Sequence, residues 1–177
     1  MSLEVEMRRL VAKHAQQVTE RAVVLARAVG LSEAVTALGV AGNLHDVGKI
    51  GIPPEVLRKP EALTSEEWEM IQEHPRLGYM MLQQVPHTET VLQAVLHHHE
   101  RWDGHGYPSG LQGENIPLLS RILAVADAFS AMTADRPYRK AFTLEEAVDK
   151  LRRNAGRQFD PELAERFIDL VEKGEIE

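Results

Sequence analysis

An unusual run of histidines makes metal chemistry a candidate function for this chain. Three of its eight histidines are adjacent in HHHERWDGHGYPSG, residues 97–110. Neighbouring residues on a helix point about 100° apart, so the three rings cannot all enter one layer of a core. A solvated helix end and a metal site would both be consistent with such a run, and residues elsewhere in the sequence must decide between them.

Other ligand-type residues favour the metal site. His14 falls in an apolar stripe with the helical period, where a lone histidine is more often a hydrogen-bonded core residue than a ligand. His45 and Asp46 end a predicted helix. Asp127 lies in the apolar segment ILAVADAFSAM, where an unpaired carboxylate would be costly and a divalent cation is one partner that could satisfy it. Together these side chains predict one cavity rich in nitrogen and oxygen atoms among helices.

Helices must position these side chains, because the hydrophobic pattern has the helical period. A stripe over residues 7–29 predicts a first helix with Gly30 as its C-cap, and Ser32 can cap a second helix that ends at about Asp46. Residues 48–63 are predicted as a loop with at most one helical turn, at the double proline.

The rest of the chain continues this pattern, with a glycine- and proline-rich loop at 103–117. Further helices are predicted to begin at Thr64, Thr88, Leu118, Thr143 and Asp160, with Pro75 interrupting or restarting the first of them. Trp68 and Trp102 are assigned to core packing, because aromatic residues at helix positions are usually buried. No segment has the alternating pattern of a strand, so the predicted fold is all-α, a compact helical bundle.

Composition narrows the classes of function. The 177 residues are 44% hydrophobic and 27% charged, which is typical of one globular domain spanning 1–177. The absence of cysteine excludes disulfides and thiolate ligands, so any metal must bind nitrogen and oxygen. The net charge of −7 argues against a protein that binds duplex nucleic acid. The apolar segments are too short for membrane insertion and no signal peptide is visible, so we expect a cytoplasmic protein.

Motifs along nearly the whole chain resemble the histidine–aspartate (HD) phosphohydrolase superfamily. His14, the pair His45-Asp46 and Asp127 match its H…HD…D signature. The stretches that resemble its HD-GYP subgroup are HDVGK (45–49), HP (74–75), HHE (98–100), DGHGYP (103–108) and DRPYR (135–139). Members of this subgroup are bacterial phosphodiesterases that hydrolyse the second messenger cyclic di-GMP, so the resemblance implies that activity.

The resemblance also implies a binuclear metal site, in which two sets of ligands share Asp46 as a bridge. The first ion would be held by His14, His45, Asp46 and Asp127, and the second by Asp46, His74, His98 and His99. Carboxylates and imidazoles suit iron, manganese or zinc better than calcium, and the resemblance favours iron or manganese. A hydroxide bridging the two ions would attack the phosphodiester.

Two nearby residues are not expected to bind metal. Family members with a third ion have a glutamate four residues before the first histidine, and this chain has Leu10 there, which favours two ions. His97, the first residue of the histidine run, is expected to be a bystander.

Substrate contacts are implied at three basic residues. Lys49 would lie beside the scissile phosphate and offset the negative charge that develops there, although most lysines simply face solvent. Arg136 and Arg139 would contact phosphate or a guanine edge, with Arg136 the stronger contact, although a surface arginine pair needs no such explanation.

The loop GYPSG, residues 106–110, is called the GYP loop below, and its composition alone predicts only a turn. The resemblance places it beside the substrate and links it to a signalling-protein partner. Gly106 would let the backbone approach a ligand, Pro108 would stiffen the turn, and Tyr107 would stack on a base. Asp103 would fix the loop by accepting backbone hydrogen bonds.

The implied reaction opens cyclic di-GMP to the linear dinucleotide pGpG, and a second round would give GMP. Two alternatives remain, an HD phosphohydrolase of another nucleotide and a non-catalytic module that binds cyclic di-GMP or a protein. Retention of every implied metal ligand and of Lys49 argues against the second alternative. Related domains are usually fused to an N-terminal sensor or receiver, so the chain is either a stand-alone protein or a piece excised from a longer one.

Overall fold

Helices make up the regular structure of the chain. The structure is a computed structural model that describes residues 3–86, 88–135 and 140–177, with side chains from residue 12 onward. The helices are α1 (Leu3–Ala28), α2 (Val35–Leu44), α3 (Pro54–Leu57), α4 (Ser65–Gln72), α5 (His74–Leu82), α6 (Glu89–His97), α7 (Leu118–Thr133), α8 (Leu144–Asn154) and α9 (Pro161–Glu172). The described ranges contain no β-strand, so the all-α prediction is confirmed. Within the same ranges, no helix is both long and apolar enough to cross a membrane.

The hydrophobic core fixes the helices that carry most of the ligand-type residues. Helix α1 packs against α2 and α7, and α6 packs against α2, α5 and α7. Leu25 of α1 and Leu38 of α2 are fully buried. Phe129 of α7 and Phe167 of α9 are also fully buried, with ring centroids 5.1 Å apart. Burial of each such side chain contributes about 1.5–3 kcal/mol, which anchors α7 within the bundle.

Backbone hydrogen bonds end α1 where the sequence predicts. The Leu31 amide donates to the Ala26 carbonyl at 2.8 Å and the Gly30 amide to the Arg27 carbonyl at 3.1 Å, which is the Schellman pattern. Gly30 has φ 81°, a conformation that favours glycine. Gly30 is therefore confirmed as the residue that terminates this helix.

One predicted N-cap, Ser32, is wrong. Ser32 lies within a 3-10 turn, Ser32–Ala34, and its side chain does not cap α2, which begins at Val35. Thr88 is the N-cap residue of α6, so this helix begins where predicted, although the Thr88 hydroxyl donates to the Val85 carbonyl at 2.7 Å and makes no capping hydrogen bond. At Ser32, the backbone hydrogen bond of the 3-10 turn, from the Ala34 amide to the Leu31 carbonyl at 3.0 Å, takes the place of the capping bond that the local sequence suggested.

The other helix starts agree with the prediction. Thr64 with Glu67, at α4, and Thr143 with Glu146, at α8, form capping boxes in which both reciprocal hydrogen bonds are present. Pro75 is near the start of α5, so the helix restarts there. These local signals depend only on residues close in sequence, which is why they can be recognised before any tertiary contact is known.

Candidate metal centre

The folded chain brings together all seven side chains that the resemblance implied as ligands. They come from five regions, namely α1 (His14), the turn after α2 (His45 and Asp46), the start of α5 (His74), the end of α6 (His98 and His99) and α7 (Asp127). Ligand-type atoms form two groups that share Asp46, one with His14 and His45 and the other with His74, His98 and His99. Within each group these atoms lie within 4.8 Å of one another.

Asp127 adjoins the first of these groups. Its Oδ1 lies 3.0 Å from His14 Nε2 and 3.9 Å from His45 Nε2. His14 is therefore not an isolated core histidine, because its ring faces a carboxylate from α7 across the candidate site. His14 is thus one partner for the Asp127 carboxylate, which lies in an otherwise apolar helix.

Three of the histidines are held in one tautomer by the backbone. Each Nδ1 lies 2.6–2.7 Å from the carbonyl oxygen three residues earlier, with His45 bonded to Gly42, His74 to Ile71 and His98 to Val95. A carbonyl oxygen only accepts hydrogen bonds, so Nδ1 carries the proton in each neutral ring. The Nε2 lone pairs are then directed into the site, which is how metal-binding histidines are usually prepared.

The hydrogen bonds within the described residues leave polar atoms in the site unsatisfied. His45 Nε2 and Asp46 Oδ1 are buried without a hydrogen bond, and Asp46 Oδ1 lies 3.3 Å from His74 Nε2 outside hydrogen-bonding geometry. His74 Nε2 and His98 Nε2 are 3.3 Å apart, although both rings are protonated on the opposite nitrogen. A cation would satisfy all of these lone pairs. The set of donor atoms therefore fits a metal ion that prefers nitrogen and oxygen ligands.

The carboxylates of the site are ionised. Burial alone would raise the pKa of Asp46, but the positive charge of the Lys49 ammonium, 2.7 Å from Oδ2, acts against burial, and the pKa lies below the usual range. Burial likewise opposes ionisation of Asp127, and the hydrogen bond from His14 lowers its pKa below the ordinary value. The site therefore offers two anionic ligands at neutral pH.

The adjacent histidines are neutral. Burial lowers the pKa of His98 well below its ordinary value and lowers the pKa of His99 to about 4. Neutral imidazoles keep a free lone pair, so both rings are ready to bind a cation at neutral pH. His97 is buried beside Glu100, with Nδ1 3.5 Å from Glu100 Oε1, and it belongs to neither group of ligand-type atoms.

Lys49 lies at the edge of the site in the 3-10 turn Val47–Gly51. Its ammonium donates to Asp46 Oδ2 at 2.7 Å, and the side chain is 39% exposed. The turn packs closely on α5, because a Cβ on Gly48 would overlap the His74 carbonyl and the Gly78 amide. Gly48 was missed by the sequence prediction, although its place between Asp46 and Lys49 hinted at a backbone contact.

A buried glutamate that the sequence prediction also missed anchors the GYP loop. Glu100 Oε1 accepts a hydrogen bond from the Ser109 amide at 2.7 Å, and Oε2 accepts one from the Leu111 amide at 3.1 Å. Glu100 follows the two ligand-type histidines directly, so the same short segment sets the site and the loop beside it. The only signal in the sequence was a carboxylate between the histidine run and the glycines.

Asp103 has a smaller part in fixing the loop than expected. It accepts a hydrogen bond from the His105 amide at 3.2 Å, but its main partner is the Arg101 guanidinium at 2.7–3.0 Å. That hydrogen bond from Arg101 lowers the pKa of Asp103 to about 2. Gly106 allows close packing against the backbone of Glu100 and Arg101, which an added Cβ would overlap. The close contact at Gly106 is therefore with the protein's own backbone.

Tyr107 contacts the candidate site directly. Its ring centroid lies 4.9 Å from that of His99, with the rings tilted by 33°. Burial, together with the charges of Asp46 and Asp127, raises the pKa of Tyr107, so the phenol keeps its proton. The following residue, Pro108, accepts a hydrogen bond through its carbonyl from Arg76 of α5 at 3.1 Å.

The assignment of Trp68 to the core is wrong. The residue is 47% exposed, and its ring centroid lies 6.4 Å from that of Tyr107 at an interplanar angle of 80°. The reason is the position of α4, in which every residue is at least partly exposed. Trp102 is half-buried beneath the Arg121 guanidinium, as expected for a packing residue. Arg136 and Arg139 lie outside the described residues, as does the side chain of Leu10.

Comparisons with known proteins agree with this arrangement. The sequence profile of the HD domain family matches residues 3–163. The chain is 43% identical over 149 residues to the cyclic di-GMP phosphodiesterase of Thermotoga maritima, an alignment that covers 82% of this chain and 40% of that protein. It is 38% identical over 159 residues to 3′3′-cGAMP-specific phosphodiesterase 2 of Vibrio cholerae, covering 88% of this chain and 30% of the relative.

A solved structure has the same fold. Bd1817, an HDG"Y"P protein from Bdellovibrio bacteriovorus, superposes with a TM-score of 0.74 at 21% identity, over 92% of this chain and 52% of that one. The chain spans 40% or less of the length of the two curated relatives, so it corresponds to one part of each. The match over residues 3–163, together with the resemblance in the HDVGK and DGHGYP motifs, shows that the chain belongs to the HD domain family.

Proposed function

We propose that this chain is a metal-dependent phosphodiesterase of cyclic dinucleotides, with cyclic di-GMP as its substrate. The observation that carries the proposal is the pair of ligand groups that share Asp46, with the Lys49 ammonium 2.7 Å from the same carboxylate. The names of the similar proteins support the substrate class. The intact lysine and the unsatisfied ligand atoms of the described site favour catalysis over a module that only binds.

Two transition-metal ions, iron or manganese, are the proposed cofactors. One would be held by His14, His45, Asp46 and Asp127, and the other by Asp46, His74, His98 and His99. Bound ions of this kind supply Lewis acidity and lower the pKa of a bound water. The three backbone-fixed imidazoles and the two ionised carboxylates hold the ligand atoms in place before any ion arrives.

The chain's own residues then have separate roles in hydrolysis. A water oxygen attacks phosphorus and gives up a proton, the bond from phosphorus to the ribose 3′-oxygen breaks, and that oxygen takes up a proton in exchange, so that one water is consumed. Lys49 offsets the negative charge that grows on the phosphoryl group, since its ammonium stands at the edge of the site and is partly exposed. Asp46 orients Lys49 as well as binding metal. The product is the linear dinucleotide pGpG, and a second hydrolysis gives GMP.

Substrate binding is proposed for the GYP loop and the basic residues after α7. Tyr107 stacks on a base, while Gly106 and Pro108 hold the loop in its bent form, and Arg136 and Arg139 bind phosphate or a guanine edge. A signalling protein that contacts the exposed side of the GYP loop, and a cytoplasmic location, also stay predictions. A second substrate, 3′3′-cGAMP, is favoured by the similarity to the Vibrio cholerae protein.

A turnover assay tests the proposal. Protein purified without oxygen and loaded with iron or manganese is incubated separately with cyclic di-GMP and 3′3′-cGAMP, and the products are separated by chromatography. We expect pGpG from cyclic di-GMP, with a higher kcat/KM than for 3′3′-cGAMP, and no product after chelation. If the fully metal-loaded protein binds cyclic di-GMP but leaves it intact, the chain is a binding module and not an enzyme.

A further inference from the structure

Trp68 is an exposed aromatic residue beside the candidate site. It is one of only two tryptophans in the chain, and the residue is 47% exposed. A large apolar ring gains free energy when it leaves water, so an exposed indole next to a site is a candidate for ligand contact. The proposed hydrolysis gives Trp68 no part.

An aromatic series connects the indole to the metal-ligand cluster. His99 is in the second group of ligand-type atoms, Tyr107 lies 4.9 Å from His99 between ring centroids, and Trp68 lies 6.4 Å from Tyr107. The Tyr107 and Trp68 rings meet at 80°, an edge-to-face contact that leaves indole surface accessible to another ring. A nucleotide whose phosphate lies at the cluster would therefore have its base near these two rings.

The position of the indole is fixed by its neighbours in sequence. Glu67, which precedes Trp68, completes the Thr64 capping box and accepts two hydrogen bonds from the Lys59 ammonium, at 2.6 and 2.8 Å. These bonds hold the start of α4 against the loop that follows α3. On the other side, Arg76 donates to the Pro108 carbonyl and ties the GYP loop to α5. Both rings are thus held before a ligand binds, which reduces the entropy lost on binding.

We propose that Trp68 stacks on a purine base of the substrate and sets affinity for the dinucleotide, separately from Tyr107. This inference rests on the proposed function, because it takes a cyclic dinucleotide as the ligand. Stacking of a base on an aromatic side chain is worth about 1–3 kcal/mol, which corresponds to roughly a 5- to 150-fold change in affinity. Trp68 does not contact the reacting phosphate in this scheme, so its loss should change KM and not kcat.

Fluorescence tests the contact without measuring turnover. In metal-loaded Trp102→Phe, Trp68 is the sole tryptophan, and a hydrolysis-resistant phosphorothioate analogue of cyclic di-GMP should quench its emission saturably. In Trp68→Phe the remaining indole is Trp102, which packs under Arg121, and the same titration should leave its emission unchanged. Quenching of Trp102 alone, or of neither residue when binding is established by calorimetry, would overturn the proposal.

Kinetics separate the role of a base contact from a structural one. We expect Trp68→Ala to raise KM for cyclic di-GMP by roughly 5- to 150-fold with kcat and metal content unchanged, and Trp68→Phe to recover most of the affinity. Met70→Ala is the matched control, because Met70 is on the same helix and is 45% exposed. An unchanged KM, or a fall in kcat alone, would contradict the inference. If the wild-type protein cleaves no cyclic dinucleotide, the proposed function fails. If it cleaves one and substitution of Trp68 changes neither KM nor affinity, only this inference fails.

Discussion

Among single residues, Asp46 makes the contacts on which the proposed site depends most. Its Oδ1 lies 3.3 Å from His74 Nε2, and its Oδ2 lies 2.7 Å from Lys49 Nζ and 3.5 Å from His45 Nε2. It is shared by both groups of ligand-type atoms. Loss of its charge should therefore affect two metal positions at once, whereas loss of any histidine should affect one first.

Asp46→Asn should remove metal from both positions. The amide keeps the volume of the side chain but loses the negative charge, so metal content should fall from about two ions to below one and turnover should fall by more than about 100-fold. Elemental analysis after anaerobic loading measures the first effect. The control is His105→Ala, since the His105 imidazole is 83% exposed and lies in the same segment as the histidine run. Retention of two ions by Asp46→Asn would rule out the bridging role.

Lys49→Ala should separate catalysis from metal binding. The ammonium is assigned to charge that develops during bond breaking, and loss of such a contact typically lowers kcat by about 10²–10³. Metal content and the affinity for a hydrolysis-resistant analogue should stay near the wild-type values. Lys173→Ala, at the exposed end of α9, serves as the control for loss of a positive charge. A variant that loses metal together with activity would instead give Lys49 a structural role through Asp46.

Residues of the site differed in how far they could be predicted from the sequence. The ligand-type residues lie in spaced motifs, so their types and order were sufficient to propose them. Glu100 and Trp68 were missed or misassigned, because burial of a carboxylate and exposure of an indole depend on contacts with distant segments. Those contacts join the end of α6 to the GYP loop and α4 to Tyr107, and no local pattern indicates them.

Among the elements, the GYP loop depends on a single buried carboxylate. Glu100→Gln should loosen the loop, because an amide nitrogen would face one of the backbone N–H groups that the carboxylate now accepts. A buried donor left unsatisfied costs about 1–3 kcal/mol. Hydrogen exchange at the Ser109 and Leu111 amides should accelerate and KM should rise, with metal content retained. Glu114→Gln, at an exposed position, is the control, and unchanged exchange in Glu100→Gln would show that the loop is held by other contacts.

Packing of the Val47–Gly51 turn on α5 leads to a second prediction for an element. Gly48→Ala should lower the free energy of unfolding by about 1–3 kcal/mol, because the added Cβ would overlap backbone atoms of His74 and Gly78. In Gly39→Ala the added Cβ meets no atom of the described chain within 4 Å, and the gain in helix propensity should stabilise α2 by about 0.5–1 kcal/mol. Urea denaturation should show opposite signs for the two variants. Equal effects would mean that the turn moves freely relative to α5.

Helices were predicted more accurately than their exact ends. The capping boxes at Thr64 and Thr143 involve residues within one turn, so the sequence was sufficient to locate them. Ser32 failed as a cap because it lies in a 3-10 turn whose own hydrogen bond fixes the backbone. The peripheral position of α4 could not be predicted from the sequence either, because it depends on packing between helices.

For the whole molecule, the bundle brings residues from positions 14 to 127 to one site. The all-α class followed from hydrophobic periodicity, but periodicity alone left open which helices are neighbours. The resemblance indicated which ligand-type residues share a site. The packing agrees with it, because α1 and α6 each pack against both α2 and α7. Two partly buried carboxylates and two buried atoms without a hydrogen bond lie together in the described bundle, in a cluster that could hold a cation.

The most direct test of the central claim is anomalous X-ray diffraction from crystals of the protein loaded with iron under anaerobic conditions. Data collected at the iron absorption edge should contain two peaks, one between His14, His45 and Asp127 and the other between His74, His98 and His99, with the Asp46 carboxylate between them. A single peak, or peaks whose ligands exclude Asp46, would contradict the binuclear centre on which the proposed phosphodiesterase activity depends.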